Sequence, residues 1–154
     1  MRLRIEVLHG VNLNMLGSRP SEHYGTFTLS ELENAIEDYA RELDLEVSFF
    51  QTNNEGDFVE RLHRARDAAD GLILNPGAWT HYSRAIGDAL EIADLPTVEV
   101  HISDLSEREA WRHQSVIADL CVATVAGRGQ EGYRDALVAL RDSLGESKKR
   151  EDSA

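Results

Sequence analysis

Residues Gly71-Leu72-Ile73-Leu74 carry no polar side chain and lie between two stretches whose apolar residues recur at helical spacing. Four apolar positions in a row, closed by Asn75-Pro76-Gly77, describe a short strand buried on both faces. Such strands belong to parallel sheets that helices cover on both sides. The rest of the chain repeats the alternation. Arg2 to Leu8 reads as a first strand. Thr28-Leu29-Ser30-Glu31 fits a capping box, and Leu29, Leu32, Ile36, Tyr39 and Leu43 then share one helical face. Leu45 to Gln51 reads as a second strand. A second helix spans about Asp57 to Ala69, with Phe58, Leu62 and Ala65 inward. A third spans about Tyr82 to Ile92, with Ala85, Ile86, Ala89 and Leu90 inward. Pro96 to His101 and Leu120 to Ala126 supply strands four and five, and a last helix runs from about Gln130 to Leu144. Five β-α repeats predict an α/β fold, with a five-stranded parallel sheet, helices on both faces and right-handed crossovers. No linker divides residues 1–144, so one domain is expected there. The charged segment 145–154 is expected to be disordered.

Charge narrows the partners. Sixteen basic and 28 acidic side chains leave a net charge of −12. That disfavours nucleic acid and anionic membrane, both of which need a positive face. A small anionic substrate needs only a local positive pocket. Cys121 is the one cysteine, so no internal disulfide can form, in keeping with a reducing cytoplasm. The opening MRLRIEVL is too short and mixed for a signal peptide, and no apolar run approaches the roughly 20 residues of a membrane span. The lysines are Lys148 and Lys149, both in the tail. Lysine-imine chemistry and P-loop phosphoryl transfer are therefore improbable on residue supply.

The first strand leads into an unusually long polar loop that ends at Gly25, whereas such connections commonly run to about 2–6 residues. In sheets of this kind ligands bind beyond the carboxyl ends of the strands, where strand order reverses. That rule predicts one crevice holding Asn12, Arg19 and Tyr24 after strand one, Asn75 and His81 after strand three, and His101 and Ser103 after strand four. A guanidinium near a phenol favours the phenolate, which can act as a base. An ordinary tyrosine titrates at about 10, so Tyr24 needs that help from Arg19, aided by Arg108 or Arg112 if either folds nearby. A solvated loop with a packing tyrosine fits the same spacing. Asn12 and Asn14 suit either turn chemistry or the holding of an oxyanion or water, and spacing does not decide. Glu99 and His101 point to the same side of strand four, so the carboxylate could orient the imidazole and keep it protonated. A satisfied structural histidine is the alternative. The remaining histidines lack metal-ligand spacing, and no metal site is expected. Gly127-Arg128-Gly129-Gln130-Glu131-Gly132 follows the last strand and reads as a turn rather than a dinucleotide fingerprint.

From about Arg4 to Leu144 the chain resembles the type II 3-dehydroquinate dehydratases. Leu8-His9-Gly10-Val11-Asn12-Leu13-Asn14-Met15-Leu16-Gly17 is similar to the family's opening LNGPNLNLLG. Arg19 and Tyr24-Gly25 match its lid, and Gln51-Thr52-Asn53 with Glu55-Gly56 resembles its Q-S-N-x-E-G. Asn75-Pro76-Gly77-Ala78 with His81 matches N-P-[GA]-[GA]-x-x-H. Glu99-Val100-His101-Ile102-Ser103 matches E-V-H-[IL]-S, and Arg112-His113 with Ser115 matches the R-H-x-S that follows. The resemblance implies a flavodoxin-like three-layer sandwich, no cofactor, no metal and a dodecamer of four trimers. It implies anti elimination of water from 3-dehydroquinate to 3-dehydroshikimate, in the shikimate pathway or in quinate catabolism. In that reaction Tyr24 would take the C2 proton with Arg19 assisting. Asn12 would hold a water against the enolate, and His101, oriented by Glu99, would protonate the leaving hydroxyl. Asn75, Ile102 and Ser103 would hold the substrate carboxylate, and His81 and Arg112 its ring hydroxyls. Asp88 would reach a neighbouring subunit's site.

Four positions depart from the family pattern: His9 for asparagine, Val11 for proline, Pro20-Ser21 for Glu-Pro, and Asp104 for asparagine. A carboxylate at Asp104 would repel an anionic substrate if it faced the pocket. The rival class is a non-catalytic flavodoxin-like module. An FMN carrier typically has a Ser/Thr-rich phosphate loop after strand one. A phospho-receiver has an acidic cluster there and a lysine after strand five. Neither feature is present. A sister lyase acting on a related cyclic hydroxy acid remains open.

Overall fold

A computed structural model describes residues 1–153. Strand β1 (Leu3–His9) lies centrally, paired in parallel with β2 (Leu45–Gln51) on one side and β3 (Gly71–Asn75) on the other. Strands β4 (Thr97–His101) and β5 (Ala123–Ala126) continue outward from β3, giving the order β2-β1-β3-β4-β5, all parallel. This is the flavodoxin-like order, with its switch point between β1 and β3.

Two apolar layers explain the unbroken hydrophobic runs. Ile5, Val7, Ile73, Val98 and Val100 pack on one face against Leu32 and Ile36 of α2 (Leu29–Glu42) and Tyr133, Leu137 and Leu140 of α5 (Glu131–Ser153). Leu8, Leu72 and Leu74 pack on the other against Phe58, Leu62 and Ala65 of α3 (Glu55–Ala68) and Ile86 and Leu90 of α4 (Arg84–Ala93). Alternate side chains of a strand point to opposite faces, so a strand covered on both sides must be apolar throughout.

Local signals set most boundaries. The Thr28–Glu31 capping box is formed in both directions and starts α2. Asn54 caps α3 by accepting from Asp57 N, and Ser83 caps α4 by accepting from Ile86 N, so these helices begin two residues away from the positions periodicity suggests. Ala85 is exposed, while Gly87 and Ala93 join Ile86, Ala89 and Leu90 on the buried face. β5 begins later than its apolar run implies, because Ala118–Leu120 first form a 3-10 turn. Composition favours disorder for the charged tail, yet α5 continues as helix to Ser153. A helix already nucleated on the core extends cheaply through strong helix formers, and Glu146 precedes Arg150 by four residues. A four-residue helix not foreseen in sequence, α1 (Ser21–Tyr24), carries the end of the long first loop.

Candidate active site

Loops after β1, β3 and β4 enclose a crevice at the carboxyl edge of the sheet. Its lining includes Asn12, Arg19 and Tyr24 from the first loop, Asn75 and His81 from the second, and His101, Ile102, Ser103, Arg108 and Arg112 from the third. The residues expected to converge after these three strands therefore do. Two glycines permit the close approach. Gly10 N–H donates to the Asn75 carbonyl at 2.8 Å, and a Cβ on Gly10 would lie 2.2 Å from the Pro76 carbonyl oxygen. Gly77 adopts φ +67° with its own Cβ position 2.7 Å from the Val11 carbonyl oxygen, a conformation and a contact that only glycine accommodates.

The β1 loop is held from the side by β2. Asn12, at φ 68°, donates its backbone N–H to Asn53 Oδ1 at 2.8 Å. Gln51 Nε2 donates to that same oxygen at 3.1 Å and to the Gly10 carbonyl at 3.2 Å. Asparagine tolerates the left-handed conformation that this turn needs. Asn12 faces the crevice, whereas Asn14 is exposed outside its lining.

Tyr24 is 8% exposed, seated by α1 between Pro20 and Gly25. Arg108 Nη1 donates to its hydroxyl oxygen at 3.0 Å and to Ser103 Oγ at 3.2 Å. Arg19 lies over the ring face instead, its Cζ 3.9 Å from the centroid. Arg112 is not on the phenol at all: it pairs with Glu109 and sits 4.1 Å over the Trp111 ring. Two guanidiniums thus surround one phenol from different directions.

At the end of β4, His101 Nε2 meets Glu99 Oε2 at 2.5 Å, and Glu99 Oε1 accepts from Ser115 Oγ at 2.8 Å. Glu99 is 1% exposed and lies behind the histidine rather than in the lining. The ring nitrogen not held by Glu99 is the one left for a ligand. His81 stacks on His101 with centroids 6.1 Å apart. Its Nδ1 lies 2.6 Å from the Gln114 carbonyl, which can only accept, so Nδ1 carries the proton and Nε2 is an acceptor. Burial lowers the His81 pKa and favours this neutral form. Asn75 is buried, its Oδ1 accepting from Gly77 N at 3.1 Å.

Asp88 is exposed on α4, away from its own chain's crevice. Asp104 turns outward: its Oδ1 accepts from Ser106 N at 3.0 Å and Oγ at 2.6 Å, which lowers its pKa, and it is not part of the lining. The feared repulsion of an anion from this position does not arise. His9 is fully buried beneath the site, stacked on Phe49 at 6.1 Å with Nε2 3.4 Å from the Glu33 carboxylate. Of the two arginines that could aid Tyr24 it is Arg108 that reaches it, and Ser115, which backs Glu99, is a residue that spacing does not single out. Both lie in an irregular stretch with no period to read, although Ser115 stands in the R-H-x-S match. Among the described residues no three His, Cys, Asp or Glu side chains gather as a metal-ligand set, and no helix is long and apolar enough to cross a membrane.

Chemically, the crevice sets a phenol under two guanidiniums against an imidazole backed by a carboxylate. One can accept a proton and the other can donate one to a single small molecule between them. Arg19, Arg108 and Arg112 give this wall local positive charge within an acidic protein.

Comparison with known proteins agrees with the motifs. The family model for dehydroquinase class II matches residues 3–141. A 3-dehydroquinate dehydratase of Pelobacter propionicus is 48% identical over 142 residues, covering 92% of this chain and 95% of that protein. Among solved structures, a type II dehydroquinase from Butyrivibrio crossotus superposes with a TM-score of 0.87 at 39% identity, covering 91% of this chain and 98% of the other. One from Propionibacterium acnes superposes with a TM-score of 0.85 at 40% identity, covering 94% and 98%.

Proposed function

The chain belongs to the class II dehydroquinase family, and from that premise we propose how its crevice carries out the dehydration of 3-dehydroquinate. The enzyme is a hydro-lyase of the shikimate pathway. Tyr24 is the base that takes the C2 proton. Arg108 bonds its oxygen and Arg19 covers its ring, and the C2–H electron pair moves into the adjacent carbonyl to give an enolate. A water held by Asn12 hydrogen-bonds the enolate oxygen. His101, oriented by Glu99, gives its proton to the C1 hydroxyl, which departs as water as the enolate collapses to the conjugated product. Base and acid line the same crevice, and the family resemblance assigns the elimination anti stereochemistry.

Asn75 with the Ile102 and Ser103 backbone N–H groups holds the substrate carboxylate. His81 Nε2 accepts from a ring hydroxyl, and Arg112 binds a second. The single observation that carries this reading is that one crevice is lined by both the Arg108–Tyr24 contact and the histidine of the Glu99–His101 pair. The assembly is read as a dodecamer of four trimers in the cytoplasm, with the exposed Asp88 reaching a neighbouring subunit's crevice. Tyr82 and Ile92, both exposed on or beside α4, offer apolar surface for that contact.

The test is a spectrophotometric assay of the purified protein with 3-dehydroquinate, following the conjugated product, with a chelator present. Turnover that disappears in Tyr24→Phe supports the assignment. Near-normal turnover in that variant removes Tyr24 as the base, and no turnover in the folded wild type shifts the reading to a lyase of a related cyclic hydroxy acid. Light scattering in solution tests the dodecamer.

A further inference from the structure

Ser115 stands behind His101, outside the crevice lining, on the irregular segment between β4 and β5. Its hydroxyl oxygen accepts from the backbone N–H groups of Ile117 at 3.2 Å and Ala118 at 3.1 Å. A hydroxyl has two lone pairs and one proton. With both lone pairs engaged by backbone donors, the proton has a single direction left, and Glu99 Oε1 lies along it at 2.8 Å. The serine cannot turn round to accept from the carboxylate. Glu99 Oε1 is therefore held as an acceptor, and any proton that Glu99 shares lies on its other oxygen, 2.5 Å from His101 Nε2.

The surroundings leave this arrangement without a competitor. Glu99 is 1% exposed. The neighbouring Cys121 thiol is pushed up to about 12 by burial and by the Glu99 charge, so it stays neutral. His81, stacked on the far side of His101, is held toward its neutral form by burial, with the Arg112 charge adding to that effect.

With Tyr24 and His101 in the roles given above, we propose that Ser115 is a positioning residue for the dehydration. By donating to Glu99 it fixes the plane of the carboxylate and keeps the shared proton on the imidazole, so that the free nitrogen of His101 faces the departing hydroxyl. The logic is that of an acid-base histidine oriented by a carboxylate, extended by one further group that orients the carboxylate.

The test is a double-mutant cycle on the full-length enzyme with 3-dehydroquinate. Ser115→Ala is expected to lower kcat by about 10- to 100-fold and leave KM within about twofold. Ser115→Thr, which keeps the hydroxyl, restores most of the rate. In a Glu99→Gln background Ser115→Ala costs little more, because the group through which it acts has been changed. Additive losses in the cycle, a threonine variant as poor as the alanine one, or an unchanged kcat for Ser115→Ala each overturn the proposal and leave the serine as a cap for the Ala118–Leu120 turn. Imidazole ¹⁵N shifts of unliganded wild type and Ser115→Ala supply a readout that does not depend on turnover. A shifted His101 signal supports the proposal and an unmoved one overturns it. Absence of turnover in the wild type itself would instead overturn the dehydratase reading.

Discussion

Replacing Arg108 with leucine removes the hydrogen bond that reaches the Tyr24 hydroxyl at 3.0 Å, together with the charge directed at that oxygen. A hydrogen bond from a charged donor contributes about 1.5–3 kcal/mol. A bare Coulomb sum for two charges about 4 Å apart at an effective dielectric constant of about 20 gives about 4 kcal/mol. Arg108 is only partly buried and water in the open crevice screens it, so the lower range governs. At about 1.4 kcal/mol per decade, kcat at pH 7 should fall by about 10- to 150-fold. Arg19 lies over the ring face at 3.9 Å rather than on the oxygen. A cation–π contact is worth about 0.5–2 kcal/mol, so Arg19→Leu should cost about 2- to 30-fold. The assay is kcat and KM at pH 7 for the two leucine variants beside Tyr24→Phe, which should be inactive. A larger loss in Arg19→Leu than in Arg108→Leu, or a change confined to KM, would each refute the reasoning.

Three further outcomes follow from the geometry. His81 has a folded-state pKa below its ordinary value of 6.5, so the unfolded chain binds the extra proton first. Its contribution to stability is present above pH 6.5 and is lost as pH falls through that value toward the folded-state pKa; a His81→Gln variant should therefore lose less stability than wild type between pH 7.5 and 5 in denaturant titrations. The Cys121 thiol, pushed up to about 12, should resist iodoacetamide in the native protein at pH 8 and react once the chain is unfolded; rapid native alkylation would contradict its placement beside Glu99. Gly10→Ala would bring a methyl 2.2 Å from a backbone oxygen that has no rotamer with which to yield. It should cost about 1–3 kcal/mol and lower Tm by several degrees, with a larger proportional loss of activity because the two loops that part are those bearing Asn12 and Asn75.

The legible parts of this molecule are those where one physical rule acts alone. Leu72, Ile73 and Leu74 had to be a strand covered twice, and Thr28 with Glu31 had to start a helix. Glu99 and His101 had to share a side of β4, because the side-chain period of a strand is two. Ala85 was misjudged because an alanine adds little to a helical stripe either way. The tail was misjudged because composition weighs a segment as if it stood by itself, while α5 extends from turns already anchored by Leu137 and Leu140. Between Ile102 and Val122 the backbone is a succession of short 3-10 turns with no repeat for a pattern to follow. Which of Arg108 and Arg112 reaches Tyr24, and that Ser115 backs Glu99, are set there by tertiary contact. The motif match still carried Ser115 to notice, without saying what it touches.

The two halves of the crevice differ in how firmly they are anchored. His101 and Glu99 belong to a strand flanked on both sides by other strands, whose five residues are all buried. Tyr24 sits on a single helical turn between a proline and a glycine, held by Arg19, Arg108 and a few loop contacts. Segments of the second kind open locally at a fraction of the free energy of global unfolding. The Tyr24 segment can therefore open while His101 stays fixed, and if the two residues act as proposed, mild denaturant should silence the enzyme well before the sheet exchanges its amide hydrogens.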